Sequence, residues 1–473
     1  MLSDRCRARR FIPFRQKRTL AVIIVILLSV NFLSAQTRTI RIATYNIEAD
    51  INGVTMPLPG LIAPYNNSTA VQLGGSVEGI GEEIVGNDPA RPLDILPLEE
   101  TSANTVTVQP IVNGLNTFYN TPGMYTNSTY QAAIIGSNSG NGPNAVVYNT
   151  FTVQLLASHP VDPVGGVGQL GSASGEYREV MRYEFAPAGV APDPTNEFYI
   201  YVSHYKSGTT SADATSRAGE AAIIRTNEAT DLPATARVIY VGDYNVDTSA
   251  EIGYQTILSN TVPNSAKRQG GGTDPYNLTA STSINWSSST SNTNILLMLS
   301  EHSYNLEYRD DLQVMTSNVY YGTPGGFQYV PGTYHTFGNN GTVAYNGKVV
   351  NTSNTALNNN LVTNAPVFIN NTTLYHDLTN ASDHLPVVAD YTLPMPAPVI
   401  AGVNPNGTDL IFSISSGITG AVYTVLSTTN LLLPTTNWTP IATNVSPGVN
   451  FTLTATNAFD STALASFYLL QTR

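Results

Sequence analysis

Along the first half of the chain the apolar positions fall into short blocks with strand periodicity. Residues 39–47 (TIRIATYNI) alternate and are rich in β-branched side chains, which predicts a strand. Residues 93–98, 144–153 and 180–185 are read the same way. Residues 198–203 (FYIYVS) and 236–241 (ARVIYV) are continuous apolar runs, the pattern of strands covered on both faces. Between these two, residues 216–228 (SRAGEAAIIRTNE) place helix formers behind a serine and predict a helix. Strands interleaved with helices point to the α/β class. Residues 248–300 are polar, with three consecutive glycines from Gly270 and a Ser/Thr/Asn run, and are expected to be loop-rich and mobile. Strand character resumes at 312–317 and 387–391, and Pro394, Pro396 and Pro398 are expected to form a linker. Beyond it, blocks at 410–414, 422–427, 450–455 and 466–471 predict a small β-sandwich over 397–473, with Tyr423 and Trp438 in its core.

The N-terminus has a different character. Seven basic residues between Arg5 and Arg18 precede the apolar run Leu20–Leu28, and the small Ser34 and Ala35 precede Gln36. This is the pattern of a signal peptide over residues 1–35, cleaved after Ala35. The apolar run, about 14 residues counted to Leu33, is short of the roughly 20 that a membrane span needs. A secreted or periplasmic protein is expected. Its removal takes seven bases and one acid from the 21 and 33 of the whole chain, leaving 14 and 32 and a formal charge of −18. So acidic a chain does not bind nucleic acid through a broad basic face. Cys6, the single cysteine, lies in the same segment, so disulfide and thiol chemistry are excluded from the mature chain.

Five short motifs carry the candidate chemistry, each closing or opening a predicted strand with polar residues. They are Ala43-Thr-Tyr-Asn46, Asp94-Ile-Leu-Pro-Leu-Glu-Glu100, Tyr201-Val-Ser-His204-Tyr-Lys206-Ser, Val241-Gly-Asp243-Tyr-Asn245 and Ser382-Asp383-His384-Leu-Pro386. Singly, each is explained by a turn or a structural histidine. Together they offer hard oxygen donors for a cation, carboxylates to align a water, and imidazoles to move protons.

In order and spacing the motifs resemble the endonuclease/exonuclease/phosphatase superfamily over residues 40–391, and look most similar to large secreted bacterial nucleases within it. The resemblance implies a catalytic domain over 36–395 with a four-layer α/β sandwich, two facing mixed sheets flanked by helices. It implies a metal held by Glu100 with Asn46 beside it and Asp383 near it, Mg²⁺ or Mn²⁺, with a structural Ca²⁺ as a further cation. Asp243 and Asn245 would align the attacking water, with Asp243 also able to take its proton; His384 would contact the phosphate and stabilise the pentavalent state or act as the acid/base, and His204 would protonate the leaving oxygen. Asp311, two residues after Arg309, would orient His384; Asp310 is the neighbour that would cap a loop. Arg178, Lys206 and Arg217 are the expected phosphate contacts, with Arg178 preferred over Arg182. Glu99 departs from the family's usual Gln and leaves Glu99 or Glu100 as the ligand, Glu100 preferred. The activity implied is metal-dependent hydrolysis of DNA, or of RNA. The alternatives are a sphingomyelinase-like enzyme on a lipid or small phosphoester, marked by an exposed aromatic or apolar hairpin that the sequence does not reveal, and a catalytically silent surface protein. Residues 397–473 resemble accessory β-sandwich modules of secreted bacterial proteins.

Overall fold

The computed structural model of the chain describes residues 36–49, 59–64, 74–83, 92–102, 104–120, 128–136, 142–161, 178–259, 271–276, 285–288, 292–302, 305–322, 326–341, 356–357, 371–459 and 465–472. The expected signal segment and Cys6 lie outside the described residues. These residues form two compact units, one ending at Ala397 and one running on from Pro398.

The first unit opens with β1 (Gln36–Asn46), α1 (Ser76–Gly81), β2 (Ile95–Glu99), α2 (Gln109–Tyr119), β3 (Tyr130–Ala132), β4 (Ala145–Asn149) and β5 (Val153–Val161). It continues with β6 (Val180–Pro187), β7 (Phe198–His204), α3 (Ser211–Asp231), β8 (Val238–Asp243), α4 (Ile252–Leu258) and β9 (Gly272–Thr273). Then come α5 (Thr293–Leu296), β10 (Glu301–His302), β11 (Leu306–Tyr308), β12 (Asp311–Thr316), α6 (Ser317–Tyr320), β13 (Gln328–Tyr329), β14 (His335–Thr336), α7 (Asn371–Ala381) and β15 (Val387–Met395). One sheet runs β13-β15-β1-β2-β4-β3, with β14 also on β15, and a second runs β5-β6-β7-β8-β12-β9. Each contains one parallel pair, β1 with β2 and β7 with β8, among antiparallel ones.

Strand alternation explains the layering. Ile40, Ile42, Ile95 and Val146 of the first sheet form one core with Ile200, Val202, Ile239 and Val241 of the second. The intervening residues turn outward: Ala43, Tyr45, Leu96 and Leu98 share a core with Ile111 and Leu115 of α2, and Tyr201 and Tyr240 with Ala221 and Ile224 of α3. Two facing mixed sheets with helices outside are the expected α/β sandwich. One buried amide spans the interior: Gln313 of β12 donates to the carbonyls of Ile42 (3.0 Å) and Val387 (2.7 Å), and its oxygen accepts from Tyr391. It ties the two sheets at one level.

Several expected boundaries move. Residues 144–153 are two strands, because the turn at 150–152 reverses the chain between β4 and β5. The helix starts at Ser211, where Thr210 and Asp213 form a capping box. The expected proline linker is half strand, since Pro394 and Met395 pair with Thr37 and Gln36 at the start of β1. Parts of the segment expected to be mobile are ordered: α4, β9 and α5 lie within it, and Trp286 is fully buried. Trp286 packs on Tyr254 at 4.6 Å and under the Arg309 guanidinium at 4.4 Å, and Arg309 is ion-paired to the buried Asp274 at 2.7 Å.

A buried charge network braces the outer face of β1. Arg41 donates to both oxygens of Asp390 and to the carbonyls of Ile80 and Glu83. Beside it, His335 bridges the Glu83 carboxylate and the Thr333 carbonyl, each at 2.7 Å. Burial would lower the imidazole's pKa, but the charge and hydrogen bond of Glu83 and the Thr333 carbonyl lift it above its usual value. A raised folded-state pKa stabilises fully below the unfolded value and fades as pH rises through the folded one. His335→Gln is therefore expected to destabilise the chain most near about pH 6 and progressively less in alkaline buffer. Denaturant unfolding across pH checks this; a difference independent of pH would contradict it.

The second unit contains β16 (Val399–Asn406), β17 (Asp409–Ser415), β18 (Val422–Thr428), β19 (Thr439–Val445), β20 (Phe451–Ala455) and β21 (Phe467–Thr472). They form two three-stranded sheets, β16-β17-β20 and β19-β18-β21. Phe412, Tyr423, Val425 and Leu453 fill its core. Trp438, expected there, instead follows a short 3-10 turn outside the core and donates its indole N–H to Leu433.

Candidate active site

The topology brings the five motifs to one end of the sandwich. The parallel strands β1, β2, β7 and β8 end there, at Asn46, Glu99, His204 and Asp243. β12 and β15 run antiparallel to their neighbours, so their starts lie at the same edge. In the second sheet Asp243 is paired laterally with His204 on one side and Asp311 on the other. In the first, Asn46 is paired with Glu99.

Local backbone geometry then aims the side chains. Five described non-glycine residues have positive φ, and three of them are at this edge: Glu48 (49°), Glu100 (54°) and Asn245 (49°). Left-handed backbone costs about 1–2 kcal/mol for an ordinary residue, so such clustering marks a place where direction matters more than strain. Gly242 must be glycine: at φ 127° a Cβ would lie 1.9 Å from the Ser203 carbonyl oxygen.

Glu100, His204 and Asp243 form the tightest group. His204 Nε2 lies 3.4 Å from Glu100 Oε1 and 3.4 Å from Asp243 Oδ2. One donor atom from each of the three falls within 4.8 Å of the others, close enough to surround one cation. All three are buried, and Glu100 Oε2 has no hydrogen-bond partner among the described residues. Burial pushes the Glu100 carboxyl up to about 8 and raises that of Asp243 above the usual carboxylate range. An orphaned buried carboxylate oxygen beside an imidazole and a second carboxylate is what a divalent cation would satisfy. Asn46 braces the group, its amide donating to Asp243 Oδ2 at 3.1 Å while its oxygen accepts the Glu48 N–H. Glu99 faces the other way, into the sandwich, where its Oε1 accepts from Thr44 at 2.9 Å.

His384 stands on the opposite side of Asp243. Its Nδ1 is 2.8 Å from Asp311 Oδ2, and its Nε2 is 3.9 Å from Asp243 Oδ2 and 3.8 Å from Asp383 Oδ1. Burial would lower its pKa, but Asp311, with Asp243 and Asp383, raises it well above the ordinary imidazole value. Asp310 is not its partner; burial and Glu301 push the Asp310 carboxyl well up. Two serine hydroxyls given no role in the sequence, Ser382 of the fifth motif and Ser300 outside the motifs, fix the array. Ser382 donates to the Asn46 carbonyl and accepts the His384 N–H, and Ser300 accepts the N–H groups of Asp310 and Asp311. Asp383 sits apart from the cation group. Its side chain is about one-third exposed, and its N–H donates to Glu48, a carboxylate missed in the sequence.

Asn245 donates its backbone N–H to Asp243 Oδ1 and its amide to the Tyr205 carbonyl. Arg178 reaches the same carbonyl and lies close enough for its charge to act on Asp243. Lys206 is turned toward α3, its ammonium 3.3 Å from Asp213. Arg182 pairs with Asn227 and Asp231 on the outer face. Arg217 is corrected from an expected phosphate contact to a brace. Fully buried, it forms a bidentate pair with Glu251 and donates at 2.8 Å to the carbonyls of Lys206 and Gly208, which leaves its fork committed to protein. Arg217→Met is expected to destabilise the fold by roughly 3–5 kcal/mol by stranding Glu251; an unchanged melting temperature would return Arg217 to the substrate side.

The rim is also built by the stretch that follows the segment expected to be loose. Main-chain bonds from Leu385 to Ser300 and from His302 to Asp383 lay the β10–β11 hairpin beside His384. Tyr308 on that hairpin is 38% exposed, and burial, then the charges of Glu301, Glu307, Asp247 and Asp310, raise its hydroxyl above the usual phenol range.

No protein-family model matches the chain, and no curated protein matches it. Among solved structures, the human Nocturnin catalytic domain with bound sulfate is similar at 14% identity and a TM-score of 0.38, covering 76% of this chain and 97% of that one. An endonuclease/exonuclease/phosphatase family protein from Bacteroides thetaiotaomicron is similar at 14% identity and 0.38, covering 76% and 99%. D. rerio TDP2 complexed with a single-strand DNA product is similar at 12% and 0.38, covering 75% and 98%. At such identities and scores what the chain does has to come from its own side chains.

Proposed function

We propose that the chain is an exported, metal-dependent phosphodiester hydrolase whose substrate is nucleic acid, DNA ahead of RNA. The observation that carries this is the paired array around Asp243: Glu100 and His204 on one side, and His384 locked to Asp311 on the other. Cleaving a phosphodiester needs positive charge at the non-bridging oxygens, an aligned water and a proton for the leaving oxygen.

Glu100, His204 and Asp243, braced by Asn46, would hold the cation, which supplies Lewis-acid charge when bound. Mg²⁺ or Mn²⁺ suits the oxygen donors, and the imidazole favours Mn²⁺ of the two. Asp243, fixed by Asn46 and by the Asn245 N–H, presents an acceptor that orients the attacking water and takes its proton. His384, kept charged by Asp311, binds and stabilises the phosphoryl oxygens. Arg178 adds a second positive charge on the Tyr205 side. His204, in contact with both carboxylates, is the group placed to protonate the leaving oxygen when it is not a ligand.

A second reading, hydrolysis of a lipid or small phosphoester, is favoured by one feature. Glu301 and Glu307, on the hairpin that carries the exposed Tyr308, put negative charge beside an aromatic ring, which repels a long polyanion and suits a neutral or cationic substituent. Purified protein lacking residues 1–35 would be assayed on supercoiled plasmid and on phosphocholine diesters, with Mg²⁺, Mn²⁺ or EDTA. Metal-dependent nicking supports the nuclease; turnover of the choline diester alone moves the assignment to the second reading; inertness toward both sinks the hydrolase. Export rests on the basic segment from Arg5 to Arg18, the short apolar run from Leu20 and the small Ser34 and Ala35 before Gln36. N-terminal sequencing of exported protein should start there.

A further inference from the structure

We infer that Glu220 of α3 is a positioning residue for hydrolysis, acting through Arg178 and the loop after His204; this rests on the phosphodiesterase reading above. Glu220 is fully buried, and its carboxylate bonds to the chain beside the candidate cation donors rather than to the donors themselves. Its two carboxylate oxygens accept two backbone N–H groups from different parts of the second sheet's edge: Oε1 from Arg178 at 3.2 Å and Oε2 from Lys206 at 3.0 Å. One side chain therefore staples the entry of β6 to the exit of β7.

The staple sets the site because of what lies between its two points. The Tyr205 carbonyl accepts from both the Arg178 guanidinium and the Asn245 amide. Arg178 also reaches the Ser207 hydroxyl at 3.5 Å. Arg217, one turn earlier on α3, holds the carbonyls of Lys206 and Gly208. The loop from Tyr205 to Gly208 is thus held from beneath by one helix, and through Tyr205 it fixes where Arg178 and Asn245 stand relative to Asp243. Burial pushes the Glu220 carboxyl up to about 8, opposed by those two N–H bonds and by the charges of Arg178 and Arg217.

A glutamine at this position keeps the shape but turns an amide NH₂ toward one of two N–H donors. Such a misfit displaces the loop by a fraction of an ångström and with it the Arg178 guanidinium, which weakens its hold on the phosphate in ground and transition state alike. Glu220→Gln is expected to lower kcat/KM for bis(p-nitrophenyl) phosphate about tenfold, mostly in KM, with the metal concentration for half-activation unchanged. In a double-mutant cycle, Arg178→Ala with Glu220→Gln should lose little more than Arg178→Ala alone. Wild-type kcat/KM in the Gln variant, or losses that multiply in the double variant, would overturn the inference. Amide hydrogen exchange tests it without turnover and without a variant that must fold. The Arg178 and Lys206 amides of the wild-type chain should be strongly protected; free exchange of either overturns it. Inactivity of the wild-type protein would instead count against the phosphodiesterase reading, leaving the exchange result to judge Glu220.

Discussion

His384→Ala is expected to lower kcat for phosphodiester hydrolysis about 10³-fold, with KM changed far less and metal binding kept. The reasoning starts from its environment. An imidazole this buried should be neutral, yet Asp311 at 2.8 Å and the nearby Asp243 and Asp383 hold it charged. A charged, immobilised donor in a desolvated edge binds the phosphoryl oxygens most strongly as charge builds in the transition state. Asp311→Asn should give a smaller loss, since the amide keeps a hydrogen-bonding partner but removes the charge that sustains the imidazolium. Its alkaline limb should move to lower pH, because the raised pKa of His384 falls toward its ordinary value and the cationic form is lost earlier. Rate profiles of the two variants on plasmid and on bis(p-nitrophenyl) phosphate check this. Full activity in His384→Ala would remove the central imidazole from the chemistry and leave Glu100, His204 and Asp243 as a structural cation site.

What could be read from the sequence and what could not divides along a physical line. Asn46, Glu100, His204, Asp243 and His384 sit at the ends of strands with strong local patterns, and strand order alone carries them to one edge. Direction along that edge is another matter. The choice between Glu99 and Glu100 depends on strand parity: Glu99 stays in the pleat and points into the sandwich, and Glu100 leaves it at positive φ. Arg217 looked like Arg178 in one dimension, and only the partners differ: Glu251 arrives from the N-cap of α4, which lies in the segment read as loose. Composition misled there because a Ser/Thr/Asn-rich stretch can be ordered by a few long-range anchors. Trp286 under Arg309 and Ser300 against Asp311 are such anchors. Trp438 failed for the opposite reason: it lies between the apolar blocks, in Thr435-Thr-Asn-Trp-Thr439, where no periodicity fixes which way an aromatic faces.

The same parity argument makes the metal-ligand assignment testable. Glu100→Gln is expected to weaken Mn²⁺ binding at least 100-fold, because outer-shell losses alone reach 10–100-fold and this removes a direct donor. Glu99→Gln should leave it nearly unchanged, since Glu99 is bonded to Thr44 inside the sandwich. Calorimetric titration reads this without turnover, and the reverse ranking would make Glu99 the ligand. Stability should move oppositely in the two states of the protein. Burial lifts the Glu100 carboxyl to about 8, so the metal-free folded state holds a proton that the unfolded chain releases near about pH 4.5. The folded state then loses stability as pH rises between those values, and above the upper one it carries an uncompensated buried charge. Glu100→Gln removes that charge and should raise the melting temperature of metal-free protein in mildly alkaline buffer. Saturating Mn²⁺ should stabilise the wild-type chain in proportion to its affinity and the variant hardly at all. A variant that melts lower than wild type without metal would mean that Glu100 is held by protein partners rather than kept open for a cation.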